Sequence, residues 1–258
     1  MADGDYERGR DREIAALQSR LRALAKARAA VSPSVFVLNG WAASVHAWDL
    51  CRFPSRTKGC RLFSYTDQLA GQPEAALDAV AGKVVLVGWS MGGSGVLRLA
   101  CARPEKVAGL VLLAATPRMM EDKPAGWRGM SPRRLEALRK GLEITHGEGF
   151  FGVPEGCPNP YMMDTDEHLE GGLRYLLETD LRADLERVFG ARPPSFPVYI
   201  FQSEHDGIVR PENAAYLQTV FPAARLTRVP GTEHALPIRI PKEIDDAVDA
   251  CLAVAAQG

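Results

Sequence analysis

The chain has 258 residues, enough for one large α/β domain or two small ones, and 46% of them are apolar, which supplies a sizeable core. A net charge of −1 gives no global attraction to nucleic acid or to a membrane surface. The cysteines (Cys51, Cys60, Cys101, Cys157 and Cys251) are odd in number, scattered and without a CxxC pair, which argues against a disulfide framework or a zinc site.

The opening segment mixes Asp3, Asp5, Glu7, Arg8 and Arg10 where a secretory signal needs an apolar run. No later stretch approaches the ~20 apolar residues of a membrane span. The expected compartment is the cytoplasm. From Tyr6 to Ala30 the composition is rich in helix formers, and Ile14, Leu17, Leu21 and Leu24 form one apolar stripe. Residues 1–32 are therefore expected to be an N-terminal surface helix docked on the domain, with a dimer-forming helix as the alternative, although the stripe covers too few heptads to argue for a coiled coil.

After Pro33 the texture changes. Val35–Leu38 is a short run, apolar on both faces, that ends in Asn39-Gly40, which predicts a buried strand and a turn. Arg61–Tyr65 is a weaker strand candidate. Val84–Val87 is another buried strand, closed by Gly88 and followed by a helix that stops near Pro104. Val107–Ala114, Val198–Phe201 and Leu226–Val229 complete the strands, and Lys242–Ala256 is a terminal helix with Ile244, Val248, Cys251 and Leu252 on one face. Such alternation implies a mostly parallel sheet covered on both faces, with function at the carboxyl ends of the strands.

Between Thr116 and Pro197 the alternation stops. About eighty residues there carry helical patterns over Pro132–Ile144, Asp166–Thr179 and Leu181–Phe189, with no convincing strand. The expected organisation is an α/β core of residues 33–116 and 197–258, with 117–196 as a helical cap.

The sharpest local signal is Gly88-Trp89-Ser90-Met91-Gly92, a G-x-S-x-G between a strand and a helix. Ser90 must sit on a tight turn for its hydroxyl to project clear of the sheet, and side chains at 88 and 92 would collide with neighbouring backbone. A phosphate loop would instead want Gly-Lys-Ser or Gly-x-Gly-x-x-Gly, which are lacking here. A serine needs a base to become nucleophilic. His234 follows the last strand and is the candidate. His146 and His168 fall in the cap, His46 follows the first strand, and His205 adjoins the proposed acid. The acid is Asp206, on the loop after the penultimate strand, where an Asp-Gly turn would fix its direction. Glu204 is the rival, two residues away. The backbone N–H groups of Trp41 and Met91 are the candidate donors to an oxyanion.

On these motifs the chain resembles the α/β-hydrolase superfamily, with its Ser…Asp…His order, over roughly residues 33–256. It departs from that pattern at Asn39, where most members carry His, and upstream, where a charged helix replaces the usual opening hairpin. Within the superfamily it is similar to the pimeloyl-[acyl-carrier-protein] methyl ester esterases of biotin synthesis. The shared marks are Gly40-Trp41, Gly88-Trp89-Ser90 and a cap that opens Thr116-Pro117-Arg118 and runs through Trp127-Arg128-Gly129-Met130. The resemblance implies a serine carboxylesterase that works through an acyl-serine, without metal or organic cofactor, on the methyl ester of a pimeloyl thioester.

Trp41, Trp89 and Met91 would line the acyl pocket. Arg128, Arg133, Arg134, Arg139 and Lys140 are candidate contacts for an acidic carrier protein, although Glu136 and Glu143 are interspersed among them and a solvated, ion-paired helix face explains them as well. A broad small-ester carboxylesterase, a hydrolase of carbon–carbon bonds and a non-catalytic receptor on the same fold stay open. The oligomeric state is not legible.

Overall fold

A computed structural model describes residues 33–145, 151, 153, 155–157 and 159–256, apart from the side chain of Glu143. The stripe of Ile14, Leu17, Leu21 and Leu24, the whole 1–32 segment and His146 lie outside the described residues.

Six strands form one parallel sheet: β1 (Ser34–Leu38), β2 (Cys60–Phe63), β3 (Val84–Trp89), β4 (Val107–Leu113), β5 (Val198–Ser203) and β6 (Arg225–Val229). Their order across the sheet is β2-β1-β3-β4-β5-β6. The chain winds outward from β1 to β2, returns to β3 and then winds the other way. The carboxyl ends of β1 and β3 therefore meet where the winding reverses, with Leu38 paired to Gly88. A crevice at that point is where an open parallel sheet accommodates a ligand.

Successive residues of a strand face opposite sides, and both sides are covered here. Val35, Val37, Val85, Val87, Val111 and Leu113 belong to one core. Phe36, Leu38, Leu86, Leu110 and Leu112 belong to the other. This is why the strands read as unbroken apolar runs.

The described helices are α1 (Phe53–Arg56), α2 (Tyr65–Leu69), α3 (Gln72–Ala79), α4 (Met91–Ala102), α5 (Pro132–Thr145), α6 (Asp166–Glu178), α7 (Arg182–Leu185), α8 (Pro211–Val220), α9 (Leu236–Arg239) and α10 (Pro241–Ala255), with 3-10 turns at Val45–Trp48 and Pro104–Lys106 and a π turn at Glu186–Gly190. Ile244, Ala247, Val248 and Cys251 of α10 pack into the first core, while Leu77 of α3, Leu97 of α4 and Leu217 of α8 pack into the second. The sequence predicts neither α1, α2 nor α3. Each is short, and although a local Ser64–Asp67 capping box opens α2, α1 takes its place from contacts made far along the chain. Asp245 of α10 shows how: its buried carboxylate accepts from Arg52 N at 2.8 Å, Phe53 N at 2.8 Å and Arg52 Nε at 3.2 Å, so it caps α1 across the molecule. No described helix is long and apolar enough to cross a membrane.

All five cysteines are free thiols. Burial pushes Cys51, Cys101 and Cys251 up to about 12 and Cys60 up to about 11, which suppresses the reactive thiolate. Those four are expected to resist a thiol-specific dye at pH 8 in the native protein and to react only after unfolding, as dye release will measure. Asp245→Ala is expected to lower stability by about 2–4 kcal/mol, read from the urea midpoint, because it orphans buried amide donors.

Candidate active site

The nucleophile turn is built by close backbone approach. β3 ends at Trp89, and Ser90 takes φ 57° and ψ −119°, a region that non-glycine residues rarely occupy and that costs on the order of 1–3 kcal/mol. Ser90 N still donates to Leu113 O at 2.9 Å, so the strained residue is tied to the end of β4. A Cβ on Gly88 would run into the Gly92 carbonyl and the Val96 side chain, and one on Gly92 into the Leu38 carbonyl. Glycine at both positions lets α4 start immediately behind the serine.

Three side chains from three strand ends meet there. Ser90 Oγ lies 2.9 Å from His234 Nε2, and His234 Nδ1 lies 2.8 Å from Asp206 Oδ2. Relative exposures of 8%, 3% and 5% for Ser90, His234 and Asp206 make this chain almost dry, so its electrostatics are weakly screened. Asp206 Oδ1 accepts from Ile208 N at 2.8 Å and Val209 N at 3.0 Å, and Oδ2 from Gln202 Nε2 at 3.3 Å. The turn after Asp206 thus aims the carboxylate, while Glu204 and His205 are exposed on the same loop. Trp89 Nε1 donates to His234 O at 2.8 Å, which ties down the backbone that carries this imidazole. His46 instead pairs with Asp49, and His168 with Asp164 at 2.7 Å.

The loop after β1 is held by Asn39, the residue that departs from the usual His. Its Nδ2 donates to Ala43 O at 2.6 Å, its Oδ1 accepts from Trp48 Nε1 at 3.2 Å, and its backbone oxygen accepts from Gln68 Nε2 at 2.8 Å. Gly40 is brought against Trp89 and Ser90, where an added Cβ would stand 3.4 Å from the Ser90 Cβ. The N–H groups of Trp41 and Met91 have no acceptor among the described residues.

The insert between β4 and β5 grips this machinery from two sides. Met162 N donates to Ala42 O at 2.9 Å and Ser44 N to Pro160 O at 2.6 Å, so the insert adds a short antiparallel bridge to the loop. Trp41 Nε1 donates to Leu169 O of α6 at 3.1 Å, with its indole packed so tightly on Gly172 that a Cβ there would overlap it. Phe151 O accepts from His234 N at 3.1 Å and Ala235 N at 2.9 Å. Of these contacts, only the Gly171-Gly172 pair inside a helical pattern left a mark in the sequence.

A cleft opens over Ser90 and His234, lined by Trp41, Met119, Leu135, Leu138, Phe151, Leu176 and Ile208. Its walls are apolar and its floor carries the polar chain. Of the three residues expected to line an acyl pocket, only Trp41 does. Trp89 and Met91 are fully buried beneath the site. The Trp89 ring lies 5.6 Å from Phe151 and 5.8 Å from the His234 ring, and sequence adjacency to the nucleophile does not become exposure when the strand sends the side chain inward.

The basic residues of the insert are mostly engaged. Arg128 pairs with Glu212 at 3.4 Å, and Arg139 and Lys140 with Glu136 at 2.9 and 3.8 Å. Arg134 donates to Gly207 O at 2.7 Å, and Arg133 is exposed.

The model of the alpha/beta hydrolase family matches residues 16–247. A pimeloyl-[acyl-carrier protein] methyl ester esterase of Nitrosomonas europaea is 27% identical over 246 residues, covering 84% of this chain and 95% of its own. One from Neisseria meningitidis is 27% identical over 226 residues, covering 78% and 86%. Among solved structures, an esterase from Exiguobacterium antarcticum superposes with a TM-score of 0.66 at 18% identity, covering 86% of this chain and 92% of that one. A hydrolase from Oleispira antarctica gives 0.65 at 15% identity, covering 86% and 91%.

Gly172→Ala tests the grip on Trp41. Alanine favours a helix interior over glycine by roughly 0.5–1 kcal/mol, but overpacking the buried Trp41 indole costs about 1–3 kcal/mol, so the melting temperature is expected to fall. Hydrolase turnover is expected to fall about tenfold, a fraction of the 10²–10³ that loss of a whole oxyanion donor costs. Thermal melts and kcat on one ester check both.

Proposed function

The chain belongs to the alpha/beta hydrolase family, and we propose that it cleaves carboxylic esters through an acyl-serine, with Ser90 as nucleophile, His234 as base and Asp206 as orienter. The observation that carries this reading is the unbroken hydrogen-bonded chain from Ser90 Oγ through His234 to Asp206 at 2.9 and 2.8 Å.

The chemistry follows from those atoms. Ser90 Oγ adds to the ester carbonyl as its proton passes to His234 Nε2. Asp206 stabilises the resulting imidazolium through Nδ1 and keeps the ring in the productive tautomer. The oxygen that becomes negative is met by the N–H groups of Trp41 and Met91, with the amino-terminal end of α4 behind it. Collapse breaks the bond to the alcohol oxygen, which takes the proton from His234. Water then gives its proton to His234 and attacks the acyl carbonyl, and collapse breaks the bond to Ser90 Oγ, which takes the proton back from His234 as the acid leaves.

For the substrate we favour a methyl ester of a pimeloyl group carried on an acyl carrier protein, with the cytoplasm as the site of action. Two features support this: relatives of that description align over most of the chain, and the cleft walls are apolar enough for a methylene chain. Arg133 and Arg134, near the start of α5, are the basic residues of that helix best disposed to meet an acidic carrier. The second reading is a carboxylesterase of broad range, favoured by the engagement of Arg128, Arg139 and Lys140 with carboxylates of the chain itself.

Methanol release from the pimeloyl-carrier ester, run beside p-nitrophenyl butyrate, separates the two. Ser90→Ala is expected to lower turnover of either by at least about 10³, toward the ~10⁶ seen when a triad serine is removed. Turnover of the small ester alone would retain Ser90 and discard the carrier.

A further inference from the structure

A second, smaller cleft opens beside the one over Ser90. Met119 and Ile208 line both, Met130 closes the apolar side of the second, and its polar side is formed by Arg134, Arg210 and Asn213.

Its charge balance differs from that of its surroundings. Nearby basic residues meet carboxylates: Arg128 meets Glu212, Arg139 meets Glu136, and Arg118 and Arg182 both meet Asp180. Neither Arg134 nor Arg210 has a carboxylate partner among the described residues. The bond from Arg134 Nη2 to Gly207 O at 2.7 Å anchors that guanidinium at the rim and leaves its remaining N–H groups available. Glu212, two residues from Arg210, is engaged by Arg128, and Glu136, two residues from Arg134, by Arg139 and Lys140.

The second observation is Asn213. It is only 3% exposed and lines the cleft, yet its side-chain amide makes no hydrogen bond among the described residues. Its amide atoms are not among the sealed, unpartnered polar atoms of the described fold, so they open into the cleft, where they can meet a ligand. Asn213 also lies in the first turn of α8, where the helix presents its positive end.

We infer that this cleft holds an anionic group, a carboxylate or a phosphate, that the ester substrate carries away from its scissile bond. The inference rests on ester hydrolysis at Ser90 and adds a charge requirement to it. Two guanidinium groups and an amide donor suit an oxyanion with several lone pairs. Because Met119 and Ile208 are shared, an anion in the second cleft extends directly from a chain in the first.

The test compares esters that differ in one charge, in the full-length protein. One pair is monomethyl pimelate against dimethyl pimelate. The other is the methyl-pimeloyl thioester of phosphopantetheine against that of pantetheine. Arg210→Gln is expected to lower the kcat/KM ratio of anionic to neutral ester about tenfold or more in the pair whose anion occupies the cleft. Arg210→Lys is expected to restore part of it, and Asn213→Ala to lower it less. A fall in the first pair identifies a carboxylate, and a fall in the second a phosphate. Loss of folded protein lowers both members of a pair and cancels in the ratio. Ratios unchanged by Arg210→Gln in both pairs would overturn the inference.

Binding separates this outcome from failure of the esterase reading. In a Ser90→Ala background, calorimetry with pimelate dianion and with phosphopantetheine needs no turnover. At least one is expected to bind about tenfold more weakly after Arg210→Gln. Affinity for both that is unchanged by the substitution, or absent from the start, would sink the subsite even if every ester were hydrolysed.

Discussion

The site depends on how closely the first turn of α4 approaches the end of β1. Gly92 sits against the Leu38 carbonyl, and no side chain larger than hydrogen fits. That contact sets the separation between the nucleophile turn and the loop after β1, and hence between the N–H groups of Met91 and Trp41. It also forces Ser90 into its strained conformation, because the chain must reverse within one residue to enter the helix. The strain persists because it is over-determined: Ser90 N is tied to β4, and the helix behind it is packed into the core.

The parallel sheet brings Ser90, His234 and Asp206 together from three carboxyl ends, but loops on their own would leave them loosely aimed. Two further constraints correct this. Local hydrogen bonds orient Asp206 and Asn39 within their own turns. Long-range bonds from the insert then hold the loops: Phe151 on the His234 loop, and Pro160, Met162 and Leu169 on the loop after β1. The insert is therefore part of the scaffold of the reaction centre as well as its wall.

Legibility in the sequence followed the range of the interactions. The six strands, the serine turn and the Asp206 turn are local patterns, and their residues could be read from spacing alone. The meaning of Asn39 could not, because its partners Ala43, Trp48 and Gln68 are brought together only by folding. Helix α1 was illegible for the same reason, with Asp245 completing it from nearly two hundred residues away, whereas α2 carries a local Ser64–Asp67 capping box that went unread. Trp89 and Met91 were misread as pocket walls because adjacency in sequence says nothing about which side of a strand end is solvent.

The insert's hold on both the loop after β1 and the His234 loop has a consequence for how such an enzyme diversifies. A covering module that touched substrate alone could be exchanged between relatives like a tool head, changing selectivity while leaving the chemistry intact. Here the same segment carries carbonyls that His234 and Trp41 require, so a transplanted insert must bring matching backbone acceptors at the right heights. Drift in substrate range is then confined to side chains such as Leu135, Leu138 and Leu176, which face the cleft without supporting the triad.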